Sequence, residues 1–155
     1  YNHEKKCNQP HIYIIIDELA DLMTVNKHYI LPLLQRIGQI GRAANVHLVC
    51  ATQCPLVSVI PTSLKVNFTC IIGLKTRSKQ DSKNILGVYG CESLPMYGYG
   101  YMLRPGHDIE LYSIPYINDS KIEEKTNKLK KSFVDRHMIL VICACILLKI
   151  ILILN

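Results

Sequence analysis

Two apolar runs in this chain end abruptly in polar side chains able to do chemistry. Ile12-Tyr13-Ile14-Ile15-Ile16 is followed by Asp17-Glu18, and Val46-His47-Leu48-Val49-Cys50-Ala51 is followed by Thr52-Gln53. A run of about five β-branched and aromatic residues suits a buried parallel strand and is too short for a helix. In open α/β sheets, ligands bind beyond the carboxyl ends of the strands, which is where Asp17 and Glu18 fall. Adjacent acids there read as a Walker B strand. Asp17 would hold Mg²⁺, directly or through water, and Glu18 would polarise the water that attacks a γ-phosphate. The same two acids also suit the first turn of a helix, whose dipole favours negative charge. On these residues alone both readings stand.

The elements that must position these groups can be followed along the chain. Residues 1–9 are polar and mixed in charge, a linker that Pro10 sets off from the first strand. Leu19, Leu22 and Met23 have helical spacing, so a short helix starts near Glu18 and breaks at 26–28. Ile30, Leu33, Leu34, Ile37, Ile40 and Ala44 predict a second helix over 29–44, with Pro32 in its first turn and Asn45 as a left-handed stop. A second strand covers 46–51, a brief helix 62–67 and a third strand 68–74. Lys75-Thr76-Arg77-Ser78 then leads into a helix that Gly87 stops. The glycine- and tyrosine-rich stretch 87–106 predicts loops with an edge strand at 101–104. Ile109, Leu111 and Ser113 alternate with polar or aromatic neighbours as a last strand, and Asp119 or Ser120 caps a charged helix to Lys131. Strands alternating with helices predict an α/β fold, a mainly parallel sheet flanked by helices.

At 155 residues the chain has the length of about one domain and can bury a substantial core. The net charge of +6 suits a polyanion partner without requiring one, and much of it lies in 121–131. Seven cysteines raise the question of disulfides or zinc, but no pair has the C-x-x-C spacing. Cys50, Cys70, Cys143 and Cys145 lie in or beside apolar runs and read as small hydrophobes, in keeping with reduced, cytosolic thiols.

Residues 138–154 differ in kind. They are apolar apart from Lys149, and Lys125, Lys128, Lys130, Lys131 and Arg136 precede them. About 17 residues is the low end for a membrane span, and the basic flank would stay on the cytoplasmic side. The competing reading is a degenerate tail that belongs to no fold. The chain thus divides into 1–131, an α/β domain, and 132–155, a hydrophobic tail.

Several stretches, in order, resemble the motor domain of the FtsK/SpoIIIE family of DNA translocases. They are Pro10-His11-Ile12-Tyr13-Ile14-Ile15-Ile16-Asp17-Glu18-Leu19-Ala20-Asp21-Leu22-Met23 and Gly41-Arg42-Ala43-Ala44-Asn45-Val46-His47-Leu48-Val49-Cys50-Ala51-Thr52-Gln53, followed by Lys65-Val66-Asn67, Ser78-Lys79-Gln80-Asp81-Ser82-Lys83-Asn84-Ile85-Leu86 and Gly100-Tyr101-Met102-Leu103. The resemblance covers roughly residues 1–131. It implies a RecA-like P-loop NTPase core with ATP and Mg²⁺ as cofactors, assembled as a hexameric ring around double-stranded DNA. It implies that Asp17 assists Mg²⁺, that Glu18 is the catalytic base and that Gln53 senses the γ-phosphate. A carboxamide suits that post because it donates to a phosphate oxygen and accepts from water. Arg42 matches a family arginine, and Lys75, Arg77, Lys79 and Lys83 form the best local cluster for DNA phosphates. A solvated helix face accounts for that cluster equally well.

The departures from the family are equally specific. A P-loop needs G-x-x-x-x-G-K-[ST], and no glycine in this chain is followed by lysine. In the family that Walker A element lies upstream of the matching stretch, so the chain reads as the Walker B half. The segment where the family carries Pro-Thr-Arg reads Asn67-Phe68-Thr69-Cys70-Ile71, and the family's glycine-aspartate pair reads Gly100-Tyr101. A wing-like DNA-reading domain has no counterpart after Ile117. The expected function is part of an ATP-driven DNA translocase motor, as in chromosome partition, inactive as an isolated chain. The alternatives are a non-catalytic, membrane-associated remnant or assembly partner of intact motors and a conjugation-type HerA/FtsK coupling ATPase.

Overall fold

The computed structural model describes residues 11–132, 139–143 and 151–154. The linker expected at 1–9 lies outside them, as do 138 and 144–150 of the apolar tail. The first strand, β1, is Ile12–Ile16, as its β-branched composition predicts. It pairs in parallel with β2, Val46–Thr52, so that Ile12 lies opposite Val46 and Ile16 opposite Cys50.

Helix α1, Leu19–Ile40, connects these two strands and is interrupted at Asn26, whose φ of −159° and ψ of 77° are not helical. The Asn26 side chain accepts a hydrogen bond from the Tyr29 amide at 3.2 Å, so it caps a new helical start. The break expected at 26–28 is therefore present. The second half starts earlier than expected, and Pro32 falls beyond its first turn. A 3-10 turn, Gly41–Ala44, ends the helix, and Asn45 adopts the left-handed conformation with φ of 58°. Gly41 has a steric reason to lack a side chain, since a Cβ there would approach the Val46 carbonyl oxygen to 2.9 Å.

Downstream come a short α2, Thr62–Lys65, then β3, Cys70–Gly73, and α3, Lys79–Leu86. Helix α3 begins on Ser78, whose hydroxyl accepts from the Asp81 amide at 3.1 Å, and it stops on Gly87 at φ 81°. A meander of β4, Tyr99–Leu103, and β5, Glu110–Ser113, follows. Helix α4 is Asp119–Ser132, and its residues 119–128 are all exposed. Two more strands, β6 at Ile139–Cys143 and β7 at Ile151–Leu154, complete a seven-stranded sheet of order β5-β4-β3-β7-β2-β1-β6.

The apolar tail thus supplies strands. Among the described residues no helix is long and apolar enough to cross a membrane. Segments rich in isoleucine and valine have high strand propensity, and here they find unpaired edges to join. The sheet is parallel across β6-β1-β2, whereas β7 runs antiparallel to both β2 and β3, and β3, β4 and β5 alternate. Because β2 and β3 are both antiparallel to β7, they point the same way. Their carboxyl ends share one edge of the sheet with that of β1.

The core lies on one sheet face. Ile14, Ile16, Leu48, Cys50 and Ile71 pack there with Leu19, Met23 and Leu34 of α1, Leu64 of α2, and Ile85 and Leu86 of α3. Burial drives the Cys50 thiol up to about 12, so it behaves as an apolar side chain. Cys50, Cys54, Cys70 and Cys91 are all free thiols. On the other face, Tyr13 lies opposite His47, their rings stack at 4.8 Å, and His11 Nδ1 lies 3.0 Å from His47 Nε2.

Burial first, and the neighbouring His11 second, hold His47 below the ordinary histidine value of 6.5. The unfolded chain therefore takes up this proton more readily than the folded one. The stability that neutral His47 confers is complete above 6.5 and is lost as pH falls towards its folded value. Thermal melting of His11→Gln should show a smaller loss between neutral and acidic buffer than the unaltered chain, and equal losses would remove His11 as a cause.

Candidate functional site

The carboxyl ends of β1 and β2 meet at the Glu18 side chain. Beyond Ile16 the chain continues through half-buried Asp17 to Glu18, which has extended backbone angles of −139° and 99° and directly precedes α1. Glu18 Oε1 accepts a hydrogen bond from the Ala20 amide at 3.0 Å, which caps the helix. The same oxygen accepts from the Thr52 hydroxyl, and Oε2 accepts from the Gln53 amide at 2.9 Å. One carboxylate therefore starts the helix and ties the two strand ends together. Of the two acids, Glu18 is the N-cap of α1, so the helix start weighed against the Walker B reading is present.

Gln53 follows the last residue of β2 and is exposed, and its backbone amide reaches that carboxylate. Asp17, Glu18 and Gln53 are thus brought to one place. Their side-chain oxygens are hard donors of the kind Mg²⁺ takes, since that ion uses one or two carboxylates and keeps several waters. By donor type, the carboxylates of Asp17 and Glu18 suit that metal. The glycine-rich amides and lysine that would hold phosphates are not in the sequence.

The basic residues divide between the two edges of the sheet. Lys75 and Arg77 follow the carboxyl end of β3 and lie on the side of Glu18, Lys79 opens α3 and Lys83 stands in its last turn, and all four are exposed. Lys75 Nζ donates to the Glu92 carbonyl at 2.7 Å, and Lys83 Nζ sits 5.5 Å from the centre of the Tyr89 ring. Arg42 lies in the turn that leads into the amino end of β2, at the opposite edge. One phosphate track therefore does not join Arg42 to the other four by adjacency. Thr52, noted in the sequence only as half of a polar pair, is the residue whose importance was missed. It is 1% exposed, and its partners become visible only when β1 and β2 are set in register.

Solved structures share this architecture. The cytoplasmic domain of the Type VII secretion ATPase EccC from Thermomonospora curvata aligns with a TM-score of 0.64 and 28% identity over 72% of this chain and 13% of its own. The pCW3 conjugation coupling protein TcpA, solved with ATPγS, aligns at 0.69 and 24% over 84% of this chain and 40% of its own. The fold is that of P-loop ATPase domains.

Residues 2–57 match the family model of the FtsK/SpoIIIE family. The DNA translocase FtsK of Rickettsia bellii is 43% identical over 125 residues, 79% of this chain and 16% of that protein. Its Rhizobium meliloti counterpart is 39% identical over 129 residues, 83% of this chain and 15% of that protein. The chain belongs to the FtsK/SpoIIIE family, and it spans about one sixth of the length of these relatives.

Replacing Glu18 by alanine leaves the donors of Ala20, Thr52 and Gln53 without their acceptor. Loss of a cap and of hydrogen bonds to a charged group should together cost about 1–3 kcal/mol. The urea midpoint should fall accordingly, and it should fall less for Glu18→Gln, which keeps an acceptor oxygen. A midpoint unmoved by either change would show that the carboxylate carries no structural load.

Proposed function

We propose that this chain forms the Walker B half of an ATP-driven motor that moves double-stranded DNA. The observation that carries the reading is the Glu18 carboxylate, fixed at the joined ends of β1 and β2 with Gln53 beside it. It occurs in a chain 43% identical to a DNA translocase.

In this reading Asp17 holds Mg²⁺, directly or through water, and Glu18 accepts the proton of the attacking water. Bound Mg²⁺ would neutralise charge on the transferred phosphoryl group. Gln53 orients by donating to a phosphate oxygen and accepting from water. The phosphate cradle is supplied by a P-loop segment outside this sequence, so the chain alone turns over ATP poorly or not at all. Lys75, Arg77, Lys79 and Lys83 contact DNA phosphates without reading bases. Arg42, on the other edge, serves a separate contact with DNA or a neighbouring subunit. Assembly is a hexameric ring in the cytoplasm, with residues 1–131 as the ATPase portion.

A second reading draws on the lack of any glycine-lysine pair: a non-catalytic partner that packs against intact motors. A chimera separates the two. The aligned segment of the R. bellii protein is replaced by this chain's, and DNA-stimulated ATP hydrolysis is measured. The motor reading requires turnover that Glu18→Gln lowers by about 10²–10⁴-fold, the span expected of a general base. A folded chimera without turnover, or one indifferent to Glu18→Gln, would overturn it. Strong Mg²⁺-dependent hydrolysis by the isolated chain, abolished by Glu18→Gln, would overturn its expected inactivity.

A further inference from the structure

Thr52 and Ser82 are the buried polar residues among those described, at 1% and 0% exposure. Ser82 serves a loop, donating to the Val88 carbonyl and accepting from the Cys91 amide. Thr52 faces a charge. Its hydroxyl has one hydrogen to give, and the Cys54 amide donates to its Oγ1 at 3.1 Å. The hydrogen goes to Glu18 Oε1. An ionised carboxylate can only accept, so the direction of this bond is not in question.

The consequence for the carboxylate follows by counting its acceptor positions. Each oxygen has two lone-pair directions. Those of Oε1 are used by Ala20 N and Thr52 Oγ1, and one of those on Oε2 by Gln53 N. Among the described residues, one direction remains, on Oε2. The Ala20 amide lies two residues along the same chain, a local contact. The Thr52 hydroxyl and the Gln53 amide reach the carboxylate from β2 and fix its plane. Of the three donors, Thr52 alone is a side chain.

We propose that Thr52 is a positioning residue for Glu18, holding the carboxylate so that Oε2 is the oxygen that accepts a proton. The step itself rests on the reading of Glu18 as the general base. In it, the water O–H bond breaks as its proton passes to Oε2, its oxygen bonds to the γ-phosphorus, and the bond from that phosphorus to the bridging oxygen breaks, so that ADP leaves. Thr52 touches neither water nor nucleotide and gives up no proton.

Amide hydrogen exchange of the chain as it stands tests the positioning without any nucleotide. Thr52→Val keeps the shape and removes the hydroxyl, whereas Thr52→Ser keeps the hydroxyl and removes the methyl. Exchange at the Ala20 and Gln53 amides should rise about ten-fold or more in Thr52→Val, the loss expected for a hydrogen bond to a charged group. It should stay near the original rate in Thr52→Ser, and the Leu48 amide serves as the control for global opening. A residue that merely packs gives the reverse order, with serine the worse, and that order or no change in either variant would overturn the proposal. If Thr52→Val does not fold, Thr52→Ser against Thr52→Ala poses the same question, because those two differ only in the hydroxyl.

In the chimera described above, kcat should fall in Thr52→Val with KM unchanged, and Thr52→Ser should restore it. An exchange pattern that holds while Glu18→Gln leaves kcat unmoved upholds Thr52 as the residue that orients Glu18 and overturns Glu18 as the base, whereas kcat lowered by Glu18→Gln but unmoved by Thr52→Val overturns the role of Thr52 in placing Oε2.

Discussion

The bridge from the Glu18 carboxylate to the end of β2 is the constraint on which the rest of the structure turns. It fixes where β1 stops, starts α1 through the Ala20 amide, and sets Gln53 beside the acid. A single charged group accepting from helix, strand and hydroxyl couples three pieces of local structure that would otherwise meet only through packing. Such charge-assisted bonds are shorter and stronger than neutral ones, which suits a point where backbone direction changes sharply. Precise placement of the acid is therefore built into the same contacts that make the fold.

Much of the fold was legible in the sequence because local chemistry marks it. Asn26 broke α1, Asn45 took the left-handed stop, and Ser78 and Gly87 bounded α3, each through a cap or turn that its own side chain or backbone makes. The strands β1 and β2 followed from β-branched runs. The site was legible as far as Asp17, Glu18 and Gln53 share strand ends. Thr52 was not, because its meaning depends on which residue of a neighbouring strand lies alongside it.

Two other readings needed topology. An apolar run of given length does not reveal whether it will lie in lipid or in a sheet, and β6 and β7 found strand partners far from them in the chain. Likewise, Arg42 and the 75–83 group look alike as basic residues. Only the direction of β2 and β3 shows that Arg42 and Lys75 stand at opposite edges.

The position of β7 between β2 and β3 also dictates the order in which the sheet can be made. During synthesis, β1 and β2 can pair as soon as α1 has formed, and β3, β4 and β5 can form their own meander. Among the described residues the two groups have no direct rung to each other. They are joined by four residues that leave the ribosome long after both, and until then β2 and β3 each expose an unpaired edge. Closure by such distant pairings is slow. The nascent protein therefore passes through a stage of two separate half-sheets, in which protection from aggregation matters more than in the finished fold.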